Sequence, residues 1–157
     1  MGNIAKDINS TFENNRIKAM LNIVYTANWI TSRQNVFFKD YGISQQQYNI
    51  LRILKGADKP LRVKTIKSRM LERSPNATRL MDKLCAKDLI ERFPSENDRR
   101  VVKIAITKTG MNLLESIPDD FNNEIIKNLN EDEANQLSDL LDKKTFNNRL
   151  NANYYKN

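Results

Sequence analysis

The chain is 157 residues long, which suits one domain with a single core, and its 39% apolar and 29% charged residues are typical of a helix-rich protein. It contains no histidine and one cysteine, which argues against an enzyme and excludes catalytic triads, zinc sites of the usual kind and internal disulfides. The net charge is +7, and no apolar run approaches the roughly 20 residues of a membrane span, so we expect a cytoplasmic protein without cofactor, metal or membrane partner.

The first predicted element is a long helix from Thr11 to about Lys39. Apolar residues recur along it at helical spacing, namely Ile17, Met20, Leu21, Val24, Ala27, Ile30 and Phe37. A helix of about 28 residues is roughly 42 Å long and finds too little partner surface within so small a subunit. We expect it to mediate dimerisation; a helix of the subunit's own core is the alternative.

A second helix is predicted to begin at Ser44, which forms a capping box with Gln47, while Ile43 and Tyr48 are placed as a hydrophobic staple. It is expected to run to about residue 55 and to be followed by a loop over residues 56–60.

Two short helices joined by a tight link are predicted between Val63 and Lys87. Ser74 and Pro75 are typical of the N-cap and the first position of the second helix. That helix buries Ala77, Leu80, Met81 and Leu84, and its open face carries Asn76, Thr78, Arg79, Asp82 and Lys83. This arrangement predicts a helix-turn-helix.

Two strands are predicted behind it, Leu89–Phe93 and Val101–Thr107, with turn-forming residues between them and arginines at the tip. A helix-turn-helix followed by such a hairpin is a winged helix. Beyond the hairpin, a helix is predicted from about Gly110 until Pro118 interrupts it. A last helix follows Asn130, which forms a partial capping box with Glu133.

All of the excess positive charge lies between Arg62 and Lys108. This stretch holds thirteen Lys or Arg and six Asp or Glu, whereas the rest of the chain holds thirteen of each sign. Clustered cations favour a polyanionic partner because they neutralise phosphates and release counterions.

The chain resembles the MarR family of bacterial winged-helix regulators over roughly residues 17–145. The resemblance rests on the run Ser74–Leu84 and on Asp98-Arg99-Arg100 followed by Ile106-Thr107-Lys108-Thr109-Gly110, similar to the family's wing signature with Ile106 in place of leucine. Asp88 stands where the family usually has glycine, and we expect it to form a left-handed C-cap.

The resemblance implies a mainly α fold with a small β-hairpin wing, in one domain over residues 1–157. Helices at about 11–40 and 110–150 would hold a homodimer, and a winged helix-turn-helix would occupy about residues 43–108. The helix from Pro75 to about Lys87 would enter the major groove of double-stranded DNA and the wing the minor groove. The implied function is a ligand-responsive repressor acting on a palindromic operator.

The candidate DNA contacts are the polar and basic residues of the second helix and the wing: Ser74, Asn76, Thr78, Arg79, Lys83, Arg99 and Arg100. Arg79 suits a bidentate contact to guanine, and Arg100 suits the narrow minor groove of A·T-rich DNA. Asp98 is expected to brace Arg100 by an ion pair. Candidates for phosphate contacts, each with plain surface charge as the alternative, are Arg62, Lys64, Thr65 and Arg73.

The resemblance also implies a small aromatic or anionic effector in a crevice, for which the candidates are Trp29, Arg33, Tyr48 and Arg52, with packing and surface roles as the alternative. Cys85 is expected to be structural. The alternative function is a winged helix for protein contact, or an adaptor, without specific DNA binding. An enzyme working through carboxylates, Lys or Tyr ranks below both.

Overall fold

The computed structural model describes residues 3–71, 76–95 and 98–149, without the side chains of residues 98–99 and 144–149. The described ranges form eight helices and three strands. In chain order these are α1 (Ile4–Asp7), α2 (Asn15–Asp40), α3 (Gln45–Ala57), β1 (Leu61–Arg62), α4 (Val63–Arg69), α5 (Ala77–Ala86), β2 (Ile90–Ser95), β3 (Asp98–Ile106), α6 (Lys108–Ser116), α7 (Phe121–Ile125) and α8 (Glu131–Arg149). The predicted fold class, mainly helical with a small β wing, is confirmed.

Contacts between residues divide the chain into two compact units, Met1–Pro118 and Asp119–Asn157. The division falls at Pro118, where a helix break was predicted, and α6 ends at Ser116. The first unit contains the sheet and the helices α1 to α6, and the second contains α7 and α8. The prediction of a single domain stays a prediction. In the described part of the chain no helix is long and apolar enough to cross a membrane.

The long helix α2 begins later than predicted, at Asn15 rather than Thr11. The reason is Asn14, whose side chain accepts hydrogen bonds from the first free backbone N–H groups of the helix. At the other end Gly42 has a φ of +68°, and the N–H of Ile43 donates to the carbonyl of Phe38 at 3.2 Å. Gly42 therefore ends the helix, because glycine adopts this conformation at low cost.

The core of the first unit is built on α3. Ser44 and Gln47 form the predicted capping box, with both hydrogen bonds present. The side chains of Ile50 and Leu51 are fully buried. The helix continues two residues beyond the predicted end at residue 55, because the left-handed residue that terminates it is Asp58, with a φ of +49°.

The sheet has the order β1-β3-β2 and is antiparallel throughout. Both hairpin strands extend further toward the tip than predicted, since backbone pairing continues past Pro94 with an irregularity before Ser95. The two-residue strand β1 was not predicted. It places Leu61 opposite Ile104, and both side chains are buried.

The second unit is an independent helical segment. Asn130 and Glu133 cap α8 reciprocally, with hydrogen bonds of 2.9 and 3.0 Å between each side chain and the other residue's backbone N–H. This confirms the partial capping box that the sequence predicts. Three leucines of α8 are exposed, namely Leu137, Leu140 and Leu141.

Gly110 marks the closest approach between α6 and the preceding sheet. It is buried, and a Cβ at this position would lie 2.2 Å from the carbonyl oxygen of Leu89 and 2.8 Å from a side-chain carbon of Ile106. A backbone oxygen cannot move away as a flexible side chain can. Only glycine therefore permits this packing of α6.

We expect Gly110→Ala to lower the free energy of unfolding by about 1–3 kcal/mol, the usual cost of overpacking. Gly56 provides the matched control, because it lies in α3 and no neighbouring atom is within 4 Å of the place that a Cβ would take. Gly56→Ala should instead raise stability by about 0.5–1 kcal/mol. Urea unfolding measures both, and equal effects of the two substitutions would contradict the close approach.

Candidate nucleic-acid interface

Helix α5 is divided between a buried and an exposed side. Ala77, Met81 and Leu84 are fully buried, whereas Thr78, Arg79, Asp82 and Lys83 are exposed, as predicted. The helix begins at Ala77 with Asn76 at the N-cap and ends at Ala86. The predicted cap at Ser74 lies outside the described residues, as do Arg73 and Pro75. One side of α5 thus anchors the helix, and the other presents two cations and a hydroxyl to solvent.

Two long-range contacts hold the exposed side and the end of α5. The carboxylate of Asp82 forms an ion pair with the guanidinium of Arg92 on β2, at 2.7 Å. The ammonium of Lys87, the C-cap residue, donates to the carbonyl oxygen of Gly42 at the end of α2. Neither contact was predicted, because the partners lie on different elements. The sequence does contain one indication for Arg92: it lies two residues after Ile90 in the strand, and so on the same face as this buried side chain.

Asp88, two residues after the end of α5, forms hydrogen bonds with residues at the start of α6. Its φ is +56°, so it adopts the left-handed conformation expected at this C-cap. The hydroxyl of Thr107 donates to the backbone carbonyl of Asp88 at 2.6 Å, and the hydroxyl of Thr109 donates to its carboxylate at 3.2 Å. Thr107 Oγ1 also accepts from the N–H of Gly110 and so caps α6. A glycine could not make the carboxylate contact, which offsets part of the conformational cost of aspartate here.

The wing is formed by β2 and β3. Arg100 lies on β3 and its side chain is exposed. The side chains of Asp98 and Arg99 lie outside the described residues, so the predicted bracing of Arg100 by Asp98 stays a prediction.

Basic residues continue onto the sheet beside α4. Arg62 is exposed at the N-cap of α4, Lys64 is exposed in its first turn, and Thr65 is half-buried. Lys103 lies directly opposite Arg62 across the β1–β3 pair. Two like charges in this register repel one another, and an anion bound between them would relieve that repulsion. Lys103 was not singled out from the sequence, although the two-residue alternation of its strand places it on the open face.

The four candidate effector residues lie on two helices, Trp29 and Arg33 on α2 and Tyr48 and Arg52 on α3. The guanidinium of Arg33 lies 5.4 Å from the ring centroid of Trp29 on α2. Tyr48 on α3 stacks on Phe38, with ring centroids 4.4 Å apart, and Arg52 follows one turn later. A crevice shared by the two pairs stays a prediction. Cys85 is half-buried on α5 with a free thiol.

Among the described residues, no group of three or more His, Cys, Asp or Glu side chains is placed to hold a metal ion. What α5, the sheet and the wing offer together is an array of guanidinium, ammonium and hydroxyl donors. Such donors contact phosphate oxygens and base edges.

The chain is similar in sequence to known proteins. The MarR family model matches residues 43–102. The multiple antibiotic resistance protein MarR of Salmonella typhimurium is 30% identical over 136 residues, covering 82% of this chain and 92% of that protein. The HTH-type transcriptional regulator MhqR of Bacillus subtilis is 33% identical over 117 residues, covering 71% and 79%.

Solved structures agree with the sequence comparison. A mutant MarR from E. coli in complex with operator DNA matches with a TM-score of 0.74 at 26% identity, covering 85% of this chain and 98% of that one. The S. aureus MepR–DNA complex has the same fold, with a TM-score of 0.70 at 23% identity, covering 87% and 99%. The chain belongs to the MarR family of DNA-binding transcription regulators, as its sequence relatives show and as its winged helix and exposed cationic helix agree.

Proposed function

We propose that the protein is a homodimeric repressor that binds a palindromic operator in double-stranded DNA and is released by a small aromatic or anionic ligand. The observation that carries the proposal is the division of α5, which is anchored by buried apolar residues and presents Arg79 and Lys83 to solvent. An exposed cationic helix on a rigid support is the form in which proteins read the major groove.

Within this proposal Arg79 reads a base and its neighbours fix the register. A guanidinium donates two parallel hydrogen bonds to the O6 and N7 atoms of guanine, and no other base pair offers that pair of acceptors at one edge. Thr78 and Lys83 lie on the same exposed side and suit phosphate or base contacts. Ser74 and Asn76, which precede Ala77 in the sequence, are proposed for the same contacts.

The wing supplies a second contact. Arg100 is exposed on β3, and a guanidinium at this place suits the strongly negative minor groove that flanks the major-groove site. Arg99, Arg62 on β1 and Lys64 on α4 are proposed as phosphate contacts. Arg73 and Thr65 complete this set.

The homodimer is proposed from apolar side chains that the subunit leaves exposed. In α2, which spans 26 residues, only Phe38 is buried, whereas Met20 and Val24 are 51% and 52% exposed. Helix α8 likewise exposes its leucines. A continuous apolar stripe of this kind marks an interaction site. We infer that a second copy covers it and sets the two recognition helices roughly 34 Å apart, as successive major grooves require.

A ligand would act by favouring a different spacing of the two recognition helices. The surroundings of Trp29 favour an aromatic or anionic ligand, since its ring is partly exposed and the guanidinium of Arg33 lies beside it. An aromatic anion would stack on the indole ring and pair with the guanidinium. Tyr48 and Arg52 are proposed as the opposite wall.

The wing prediction concerns Arg100. We expect Arg100→Ala to weaken operator binding by about 1–3 kcal/mol, because a buried charge-assisted contact in the minor groove is lost. The free energy of unfolding should stay within about 0.5 kcal/mol, since the side chain is exposed. Gel-shift titration on an operator selected from random DNA measures the affinity. Lys6→Ala removes an exposed cation outside the basic stretch and is the control; equal affinities of the two variants would remove the wing from the interface.

The charge prediction concerns salt. Two subunits carry twice the net charge of +7, concentrated in the winged module. A dimer making about 6–10 phosphate contacts should lose roughly 10³–10⁵ in affinity between 50 and 200 mM salt. Fluorescence anisotropy with labelled operator measures the slope. A flat response, or equal binding to heparin and to operator DNA at every salt concentration, would favour the adaptor alternative.

The dimer prediction concerns the apolar face of α2. Val24→Asp should shift the protein toward monomer in sedimentation velocity and weaken operator binding by at least tenfold, or about 1.4 kcal/mol, because one subunit then grips one half-site. Thr26→Asp places the same charge about 200° around the helix and should leave the dimer intact. A Val24→Asp protein that remains dimeric would exclude this face from the interface.

A further inference from the structure

The position of Arg92 in the sheet is unusual for a charged residue. Strand β2 pairs with β3 so that Ile90 lies opposite Ile106 and Arg92 lies opposite Ile104. Ile90 and Ile104 are buried, and side chains two residues apart in a strand share one face. Arg92 therefore occupies a position on the side of the sheet that packs against the protein.

The partner of Arg92 explains this placement. Its guanidinium lies 2.7 Å from the carboxylate of Asp82, and the two side chains are 33% and 54% exposed. Asp82 is on the open face of α5, three residues after Arg79 and next to Lys83. It is the single acidic residue of this helix. The ion pair thus links the open face of the recognition helix to the wing strand.

An unpaired carboxylate at this place would oppose DNA binding in two ways. It would repel phosphates, because like charges brought together at an interface lower affinity. It would also attract the guanidinium of Arg79, since oppositely charged residues three apart on a helix are neighbours. In the described part of the chain, Asp82 pairs with Arg92 and not with Arg79.

We propose that Arg92 is a positioning residue for DNA recognition: by holding the Asp82 carboxylate it keeps this negative charge away from Arg79 and from DNA phosphates, without itself contacting DNA. This inference rests on the proposed function. Exposed ion pairs contribute little to stability. The effect of this pair is therefore on DNA affinity, where bound DNA excludes water and strengthens the electrostatic interactions.

The test is a double-mutant cycle on operator affinity with Arg92→Gln, Asp82→Asn and the combination of both. The operator is first selected with the wild-type protein, and a wild-type protein that selects none would refute the proposed function before the cycle begins. We expect Arg92→Gln to weaken binding roughly tenfold, the equivalent of about 1.4 kcal/mol. Asp82→Asn should change affinity little, and the double variant should recover most of the loss.

Recovery in the double variant separates this role from the two alternatives. If Arg92 served only packing, removing the Asp82 charge would restore nothing. If Arg92 contacted a phosphate, the double variant would stay weak and the salt slope would fall by about one. Either result, with the wild-type protein binding normally, would overturn the inference and leave the proposed function intact.

A matched control pair is available in the second unit. Lys127 and Glu124 form an ion pair at 3.1 Å between exposed side chains, outside α2, α8 and the winged module. Lys127→Gln and Glu124→Gln repeat the charge changes of the cycle. We expect neither to change operator affinity more than twofold, or about 0.4 kcal/mol. Urea unfolding of all variants checks that the folded population is unchanged.

Discussion

The structure depends on one packing interaction: the short helix α5 is held against the core by the buried side chains of one face. Helix α5 has ten residues, and its contacts with the core are made by Ala77, Met81 and Leu84. Interiors are packed at crystal-like density, so three buried side chains on one stripe define the orientation of the helix closely. The opposite side carries polar and charged side chains that are exposed to solvent.

Contacts at the C-terminal end of α5 complete this support. Asp88 turns the chain in a left-handed conformation and is held by the hydroxyls of Thr107 and Thr109. Lys87 reaches the carbonyl oxygen of Gly42, where the long helix α2 ends. The end of α5 is thereby tied both to α6 and to the end of α2. A displacement of the end of α2 would therefore reach α5 through the contact of Lys87 with Gly42.

Charge and apolar surface are separated along the chain. The stretch from Arg62 to Lys108 carries the whole excess of +7, whereas the remaining residues are balanced. Self-repulsion within the module lowers the stability of the folded state, and a bound polyanion removes that repulsion. The balanced helices instead expose apolar side chains, as on α2. One part of the chain thus concentrates positive charge, and another exposes apolar side chains.

Local patterns in the sequence determined the hairpin, the longer helices and part of their capping, whereas the four-residue helix α1 and the Asn14 cap of α2 were not predicted. The capping box of Ser44 and Gln47 and the apolar stripe of α5 depend on residues only a few positions apart, so periodicity and backbone preferences suffice to predict them. The left-handed Asp88 was instead expected from the family resemblance. Only the tertiary structure decided the two-residue strand β1, which exists because β3 offers it an edge, and the contact of Gly110 with the Leu89 carbonyl. The same holds for the pairing of Arg92 with Asp82, since a salt bridge between two elements depends on how a strand and a helix are packed, and no spacing along the chain encodes that distance.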